Sequence, residues 1–146
     1  MKKSMILLFG LLLLGAWTVY AGDGRPVASA QLPQKVQQFI HQHFPKSKIA
    51  LAKVDRNLLD TEYEVVFSDG SKAEFFKNGE WKEVSCRNSA VPAGILPEKI
   101  ARKVTELYPD ARVIEIDRDS REYDVKLSDG TELTFDNKFE LIDIDD

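Results

Sequence analysis

The sequence predicts an α+β fold made by tandem duplication of one unit, in which a helix precedes a four-stranded antiparallel sheet and packs on one face of it. Three observations lead to this prediction. The same short motifs occur twice in the same order. Each copy opens with apolar residues at helical spacing between two prolines, and each continues with short segments in which apolar and polar residues alternate.

Composition places the chain among ordinary globular proteins. It has 146 residues, with 20 Lys+Arg against 24 Asp+Glu, a net charge of -4, 43% hydrophobic residues and 1 cysteine. These values exclude a collagen-like, disulfide-stapled or wholly disordered chain. The acidic balance also argues against a nucleic-acid partner, because such a protein needs a basic face to displace counterions from phosphates.

The first residues have the pattern of a secretory signal peptide. Met1-Lys2-Lys3 is positively charged, residues 5–16 are almost purely apolar, and Val19-Tyr20-Ala21 is a small-x-small cleavage context. We therefore expect residues 1–21 to be removed, leaving a periplasmic or secreted protein without stable membrane insertion, which begins with an N-terminal extension over residues 22–31. The alternative is a membrane anchor, although the apolar stretch is short for a span.

The duplication sets the expected boundaries. Leu32-Pro33 and Phe44-Pro45 recur as Leu96-Pro97 and Tyr108-Pro109, and the motifs Tyr-x-Val and Ser-Asp-Gly follow in the same order in both copies. The expected boundaries are residues 32–86 for repeat 1, 87–95 for a linker and 96–146 for repeat 2.

Each repeat is predicted to open with a helix. The apolar residues of each copy fall on one helical stripe, which consists of Val36, Phe39, Ile40 and Phe44 in the first copy and of Ile100, Val104, Leu107 and Tyr108 in the second. A proline before each stripe is tolerated in a first helical turn, where no backbone hydrogen bond is lost. A proline after each stripe ends the helix.

Short extended segments follow each helix. The loop Ser68-Asp69-Gly70 determines how two of them pair, because a three-residue loop aligns Tyr63 with Phe75, whereas a two-residue turn would place Glu64 opposite Phe75. The second repeat follows the same rule, so we expect positive φ at Gly70 and Gly130. The predicted strands of the first repeat are Lys48–Val54, Thr61–Phe67, Lys72–Phe76 and Trp81–Ser85.

The last strand of each repeat is ambiguous. Trp81 and Val84 have opposite parity, as do Leu141 and Ile144, so one member of each pair must point away from the helices unless a bulge intervenes. The sequence leaves open which of these residues is buried. It also leaves open whether the two repeats share one continuous sheet.

The side of the sheet away from the helices, here named the open face, is expected to meet solvent or a partner. An acid-rich face with aromatic residues is typical of a recognition surface. We expect it to bind an unidentified protein or peptide of the cell envelope, and the alternative is an ordinary solvated sheet face. The candidate partner-binding residues are Glu64, Val66, Lys72, Glu74, Phe76, Trp81, Asp124, Lys126, Glu132 and Thr134.

Catalytic chemistry finds little support in the sequence. It contains no GxSxG, HExxH, Walker or CxxC motif. His41 and His43 are two residues apart and therefore lie on different sides of a helix, so they cannot both coordinate one metal ion. Cys86 is expected to be an inert, partly buried thiol. We therefore expect a protein without enzymatic activity.

Calcium is the one cofactor for which ligands are available. Asp117 and Asp119 alternate along the second repeat, and carboxylates are the oxygen ligands that calcium prefers. The alternative is a solvated acidic tail. The candidate metal ligands at the C-terminus are Asp143, Asp145 and Asp146.

The doubled pattern of Leu-Pro, helical stripe, aromatic-Pro, Tyr-x-Val, Ser-Asp-Gly and Phe resembles the PepSY-like family of β-lactamase-inhibitor-like periplasmic proteins of Gram-negative bacteria. The resemblance covers nearly all of the chain after residue 21. It implies a duplicated fold like that of the β-lactamase inhibitory protein and a periplasmic location, and it carries no catalytic signature. As alternatives to general partner binding, it implies a calcium-responsive protein or an inhibitor of a peptidase or β-lactamase.

Overall fold

The computed structural model describes residues 24–57 and 59–146, so the expected signal peptide lies outside the described residues. Within these ranges the α-helices are α1 (Gln34–His43) and α2 (Glu98–Leu107), and short 3-10 helices cover Ser29–Gln31 and Ala93–Ile95. The strands are β1 (Arg25–Val27), β2 (Ile49–Arg56), β3 (Thr61–Phe67), β4 (Lys72–Phe76), β5 (Trp81–Ser85), β6 (Val113–Arg118), β7 (Glu122–Leu127), β8 (Glu132–Asp136) and β9 (Leu141–Asp145).

The strands form a 9-stranded antiparallel sheet in the order of the sequence, from β1 to β9. β5 pairs with β6, with Val84 opposite Ile116, so the two halves of the chain share one continuous sheet. The N-terminal extension adds a strand that the sequence analysis did not predict, because β1 pairs with β2 through Pro26 opposite Lys53. The predicted α+β class is confirmed.

Both helices pack on the same face of the sheet. Val36 and Ile40 of α1 and Ile100 and Val104 of α2 are buried in one core with the inward side chains of the strands. The predicted helical stripes lie in or against this core, with one exception. Leu107 is 42% exposed, and the next residue, Tyr108, takes the inward position at this end of α2 instead.

The helices are 10 residues each, and in the described part of the chain none has the length and apolar character needed to span a membrane. Pro33 and Pro97 lie one residue before the first helical turn, at the N-cap, in extended conformations. At the other ends, the backbone N–H of Phe44 and of Tyr108 donates to the carbonyl four residues earlier, which closes the last turn. The predicted helices are therefore present between the paired prolines, although the leading proline of each lies at the N-cap and not in the first turn.

The central hairpin of each half has the predicted register. Tyr63 pairs with Phe75, and Tyr123 pairs with Phe135, so both tyrosines lie on the helix side of the sheet and pack against the core. The φ angles of Gly70 and Gly130 are 91 and 93 degrees, as a three-residue loop requires.

Bulges resolve the ambiguity of the last strands. Phe75 pairs with Trp81 while Glu74 pairs with Glu83, so Lys82 is an extra residue and the strand changes parity there. Trp81 and Val84 consequently both face the core, with exposures of 9% and 0%. The assignment of Trp81 to the open face was therefore wrong.

The second half contains the equivalent irregularity. Phe135 pairs with Leu141 and Thr134 with Asp143, which leaves Ile142 as the extra residue. Leu141 packs partly against the core, and Ile144 pairs with buried Leu133. Because β9 is at the edge of the sheet, Ile144 remains 44% exposed and Ile142 55% exposed.

Candidate partner-binding face

The open face is formed by the side chains that alternate with the buried residues of the strands. Along β4, for example, Ala73 and Phe75 are fully buried, whereas Lys72, Glu74 and Phe76 are half-buried on the opposite side. Both helices pack on the buried side, so the open face is not covered by either of them.

A row of directly opposed acids runs across the middle of this face. Each adjacent pair of strands from β3 to β7 aligns two carboxylates, and we name the row the acid ladder: Glu64, Glu74, Glu83, Asp117 and Asp124. Like charges directly opposite one another destabilise a sheet. The arrangement therefore needs protons or cations to balance its charge.

Glu74 and Glu83, which lie opposite each other, have pKa values shifted in opposite directions. Burial and hydrogen bonds to Glu74 and Glu115 raise the pKa of Glu83 to about 8. Burial opposes ionisation of Glu74 as well, but its hydrogen bond with Glu83 and the nearby Lys72 and Lys82 outweigh that effect and lower the pKa of Glu74. The pair thus carries about one negative charge near neutral pH.

Asp117 is the second perturbed acid of the ladder. Burial raises its pKa to about 6, and the negative charges of Asp124 and Glu115 add to the shift. Asp117, Asp124 and Glu115 line a shallow depression with Lys126 and Glu132. A second depression includes Lys53, Asp55 and Glu64 of the first half.

Lysines surround the ladder unevenly. Lys53 Nζ lies 3.3 Å from Glu64 Oε1, and Lys72 Nζ lies 4.0 Å from Glu64 Oε2. Two cations therefore balance the negative charge of Glu64, at the β3 end of the ladder. Among the described residues, neither Asp117 nor Asp124 forms a salt bridge. Asp124 accepts a hydrogen bond from the Thr134 hydroxyl, with 2.7 Å between the oxygens. The uncompensated part of the ladder is therefore its β6–β7 end.

Glu115 adds a further carboxylate beside the ladder. Its Oε2 atom is buried and accepts no hydrogen bond from the part of the chain that the structure describes. Arg87 Nη2 lies 3.8 Å from this atom. Lys126, opposite Glu115 in the sheet register, instead approaches Glu132, with 3.3 Å between Nζ and Oε1.

The structure places most sequence-predicted binding residues on the open face. Phe76 lies opposite Glu62, and Val66 lies opposite Lys72, all half-buried. Trp81 is the exception, since it lies in the core with the Arg118 guanidinium 3.9 Å from its ring centroid. The remaining predicted residues on the open face are Glu64, Glu74, Asp124, Lys126, Glu132 and Thr134.

Sequence reasoning missed Glu83 and Glu115, and it considered Asp117 only as a calcium ligand. Glu115 and Asp117 flank Ile116, whose full burial places both of them on the opposite face. This alternation could have placed both acids on the open face from the sequence alone. Glu83 could not be assigned from parity, because the bulge at Lys82 changes the side on which it lies.

The predicted metal ligands are spread along the sheet edge. Asp143 lies opposite Thr134 and Asp145 opposite Glu132, both on the open face, while Asp146 follows the end of β9. Within residues 24–57 and 59–146, no three His, Cys, Asp or Glu side chains are arranged so that they could hold a metal ion.

The histidines and the cysteine lie away from this face. His41 is exposed, whereas His43 packs on Phe39 with 4.6 Å between ring centroids, and burial lowers its pKa. Cys86 is 1% exposed, so it is more deeply buried than expected, and burial raises the pKa of its thiol. A thiol in this setting is a weak nucleophile.

The chain matches one family model and several solved structures. A family model described as "Putative beta-lactamase-inhibitor-like, PepSY-like" matches residues 14–65 and 61–143. A structure from Bacteroides thetaiotaomicron, described as a "putative calcium-regulated periplasmic protein", is 52% identical with a TM-score of 0.84, and the match covers 86% of this chain and 99% of that one. No curated protein matches the chain.

Two structures from Bacteroides vulgatus are also similar. One, described as a "putative periplasmic protein from DUF2874 family", is 47% identical with a TM-score of 0.82, and the match covers 85% of this chain and 98% of that one. The other, described as a "putative periplasmic protein of unknown function", is 29% identical with a TM-score of 0.78, and the match covers 84% of this chain and 100% of that one.

Proposed function

This chain belongs to the PepSY-like, β-lactamase-inhibitor-like family, and we propose that it is a non-enzymatic periplasmic binding module whose open face binds a protein or peptide partner. The observation that carries the proposal is the acid ladder, which aligns carboxylates across five adjacent strands on a face that neither helix covers. The periplasmic descriptions of the three related structures support the location.

The charge of the ladder favours a partner with cationic side chains. Glu64 already has two lysines within salt-bridge distance, whereas Asp117 and Asp124 have none among the described residues. A lysine or arginine docking at the β6–β7 end would replace repulsion between carboxylates with charge-assisted hydrogen bonds. The half-buried Phe76, at the end of β4, would supply apolar contact area.

A pull-down from periplasmic extract tests this proposal. The double variant Phe76→Ala with Glu64→Lys should lose the partner that the unmodified protein recovers, because it removes the aromatic contact and reverses one charge of the ladder. Asp110→Lys is the matched control, since Asp110 is exposed in the loop between α2 and β6. Equal recovery by both variants, with unchanged melting temperatures, would contradict the proposal.

A calcium-responsive role is the second candidate. It is supported by the description of the 52% identical relative as calcium-regulated, and the aspartates of β9 are its candidate ligands. Added calcium should then raise the melting temperature, because a ligand selective for the native state stabilises it. Magnesium serves as the control cation, and Asp143→Asn with Asp145→Asn as the control variant. No heat in calorimetric titration at millimolar calcium would contradict this role.

Inhibition of a peptidase or β-lactamase is the third candidate, supported by the description of the family. An inhibitor would slow one enzyme of a hydrolase panel in proportion to its concentration. The variant Phe76→Ala with Glu64→Lys should lose that effect if the inhibitor acts through the open face. Unchanged hydrolysis rates across the panel would contradict inhibition of those enzymes.

We also infer that the two halves are copies of one helix-plus-four-strand unit. α1 precedes β2 to β5 as α2 precedes β6 to β9. Equivalent ion pairs support the inference: Lys35 in the first turn of α1 binds Glu80 in the β4–β5 hairpin, and Lys99 in the first turn of α2 binds Glu140 in the β8–β9 hairpin. Each pair ties the start of a helix to the last hairpin of its own half.

A further inference from the structure

The two edges of the sheet differ in their capacity to accept another strand. β1 has 3 residues and includes Pro26, which has no backbone N–H to donate. β9 has 5 residues without proline. Within residues 24–57 and 59–146, β8 is the only strand paired with β9, so one side of its backbone is unpaired. An edge of this kind is a template for strand addition.

The side chains of β9 present two different surfaces to an added strand. Asp143 and Asp145 lie on the open face, opposite Thr134 and Glu132, and Ile144 lies on the helix side between them. Ile144 and Ile142 are both substantially exposed despite their apolar character. A strand pairing with β9 would cover this apolar area and would meet the two aspartates on its other face.

We infer that the β9 edge accepts an extended segment of the partner as a tenth strand, an inference that rests on the proposed function. This segment would carry lysine or arginine at alternate positions, with apolar residues between them. The cationic residues would lie opposite Asp143 and Asp145, where opposite charges stabilise a cross-strand pair. The apolar residues would cover Ile144. Main-chain hydrogen bonds supply affinity in this mode of recognition, and the alternating side chains supply specificity.

Charge argues against a second copy of this chain as the occupant. Two β9 strands paired antiparallel about a two-fold axis would bring the aspartates of both copies together on one face, and like charges opposite one another are destabilising. The β1 edge of a second copy offers only 3 residues and places Pro26 on the open face, opposite Lys53. Neither arrangement matches the chemistry of β9.

Three synthetic peptides test the inference. The probe is acetyl-Thr-Lys-Val-Lys-Val-Lys-Thr-amide, its charge control replaces every lysine by glutamate, and its pattern control has the same composition in the order Lys-Lys-Lys-Thr-Thr-Val-Val. The probe should protect the backbone amides of β9 from hydrogen exchange and bind at least tenfold more tightly than either control. Equal binding of the pattern control, or protection confined to other strands, would overturn the inference.

Variants of the protein separate this inference from the proposed function. Asp143→Lys with Asp145→Lys should weaken the probe at least tenfold, whereas Asp110→Lys should leave its affinity unchanged. If the periplasmic partner is retained by the β9 variant but lost by Phe76→Ala with Glu64→Lys, the edge inference fails and the proposed function stands. Concentration-dependent dimerisation that the β9 variant alters would make a second copy the occupant and overturn the inference.

Discussion

Glu74 and Glu83 lie directly opposite each other on β4 and β5, where burial and the interaction between the two carboxyl groups raise the pKa of Glu83 to about 8. The bulge at Lys82 makes this pairing compatible with a buried Trp81, because strict alternation would place Trp81 and Glu83 on the same side of the sheet. A single irregularity of the backbone thus buries an aromatic ring and places an acid in the middle of the open face.

The raised pKa of Glu83 predicts that the protein loses stability as pH rises. The folded state holds a proton up to about pH 8 on a group whose ordinary pKa is 4.5. Because the folded state binds more protons than the unfolded state in this window, the free energy of unfolding should fall between about pH 4.5 and pH 8. Glu83→Gln, which mimics the protonated form, should flatten this slope. Urea unfolding across the window, with Glu98→Gln on the exposed side of α2 as the control, measures it.

Asp117→Asn should stabilise the protein above about pH 6, the pKa of Asp117 in the folded state. The substitution removes a half-buried charge that faces Asp124 and lies near Glu115. Asp119→Ala should act in the opposite direction, because the Asp119 carboxylate accepts backbone N–H bonds from Arg121 and Glu122, which lower its pKa. Thermal melts at pH 5 and pH 8 compare the two: Asp117→Asn should stabilise more at pH 8, whereas the loss in Asp119→Ala should be the same at both, because this carboxylate is ionised throughout. Equal stabilisation by Asp117→Asn at both pH values would contradict the electrostatic account.

Gly130→Ala should destabilise the protein by about 1 kcal/mol, because φ at this position is positive and an added Cβ meets nothing within 4 Å. The cost is therefore purely conformational. Gly79→Ala should cost more, since φ is also positive and the new Cβ would lie 2.9 Å from Lys35 Cβ. Equilibrium denaturation of the two single variants measures the difference. A larger loss for Gly130→Ala would reverse the predicted order.

Phe139 takes the position that Gly79 occupies in the first half, and its φ of 67 degrees is unusual for a residue with a side chain. Its ring packs against Tyr123 with 5.3 Å between centroids, which offsets the backbone strain. Phe139→Ala loses the ring and keeps the strain, whereas Phe139→Gly loses the ring and relieves it. We expect the glycine variant to be more stable than the alanine variant by about 1 kcal/mol. Denaturation midpoints that rank the alanine variant higher would contradict this explanation.

The helices and the central hairpins were predictable because their signals are local. A proline-bounded apolar stripe and a Ser-Asp-Gly loop act over a few residues, so the helix boundaries and the Tyr63–Phe75 register could be derived from one stretch of chain. The same parity argument placed Glu64, Glu74 and Asp124 on the open face.

The position of Trp81 and the course of β1 were not predictable in this way. The sides of the sheet on which Trp81 and Glu83 lie depend on a bulge, which depends in turn on how β5 fits between β4 and the core. No residue type in β5 predicts this bulge. β1 consists of three residues that form a strand because β2 offers a free edge to them.

The sequence by itself determined which residues form the helices and the central hairpins, which side chains of those two hairpins are buried, and that acids would be concentrated on one face. Only the tertiary structure decided that the two halves join through β5 and β6, and this junction aligns Glu83 with Asp117. The physical reason is that alternation along a strand is a local property, whereas the partner of a strand and its register depend on packing between distant parts of the chain.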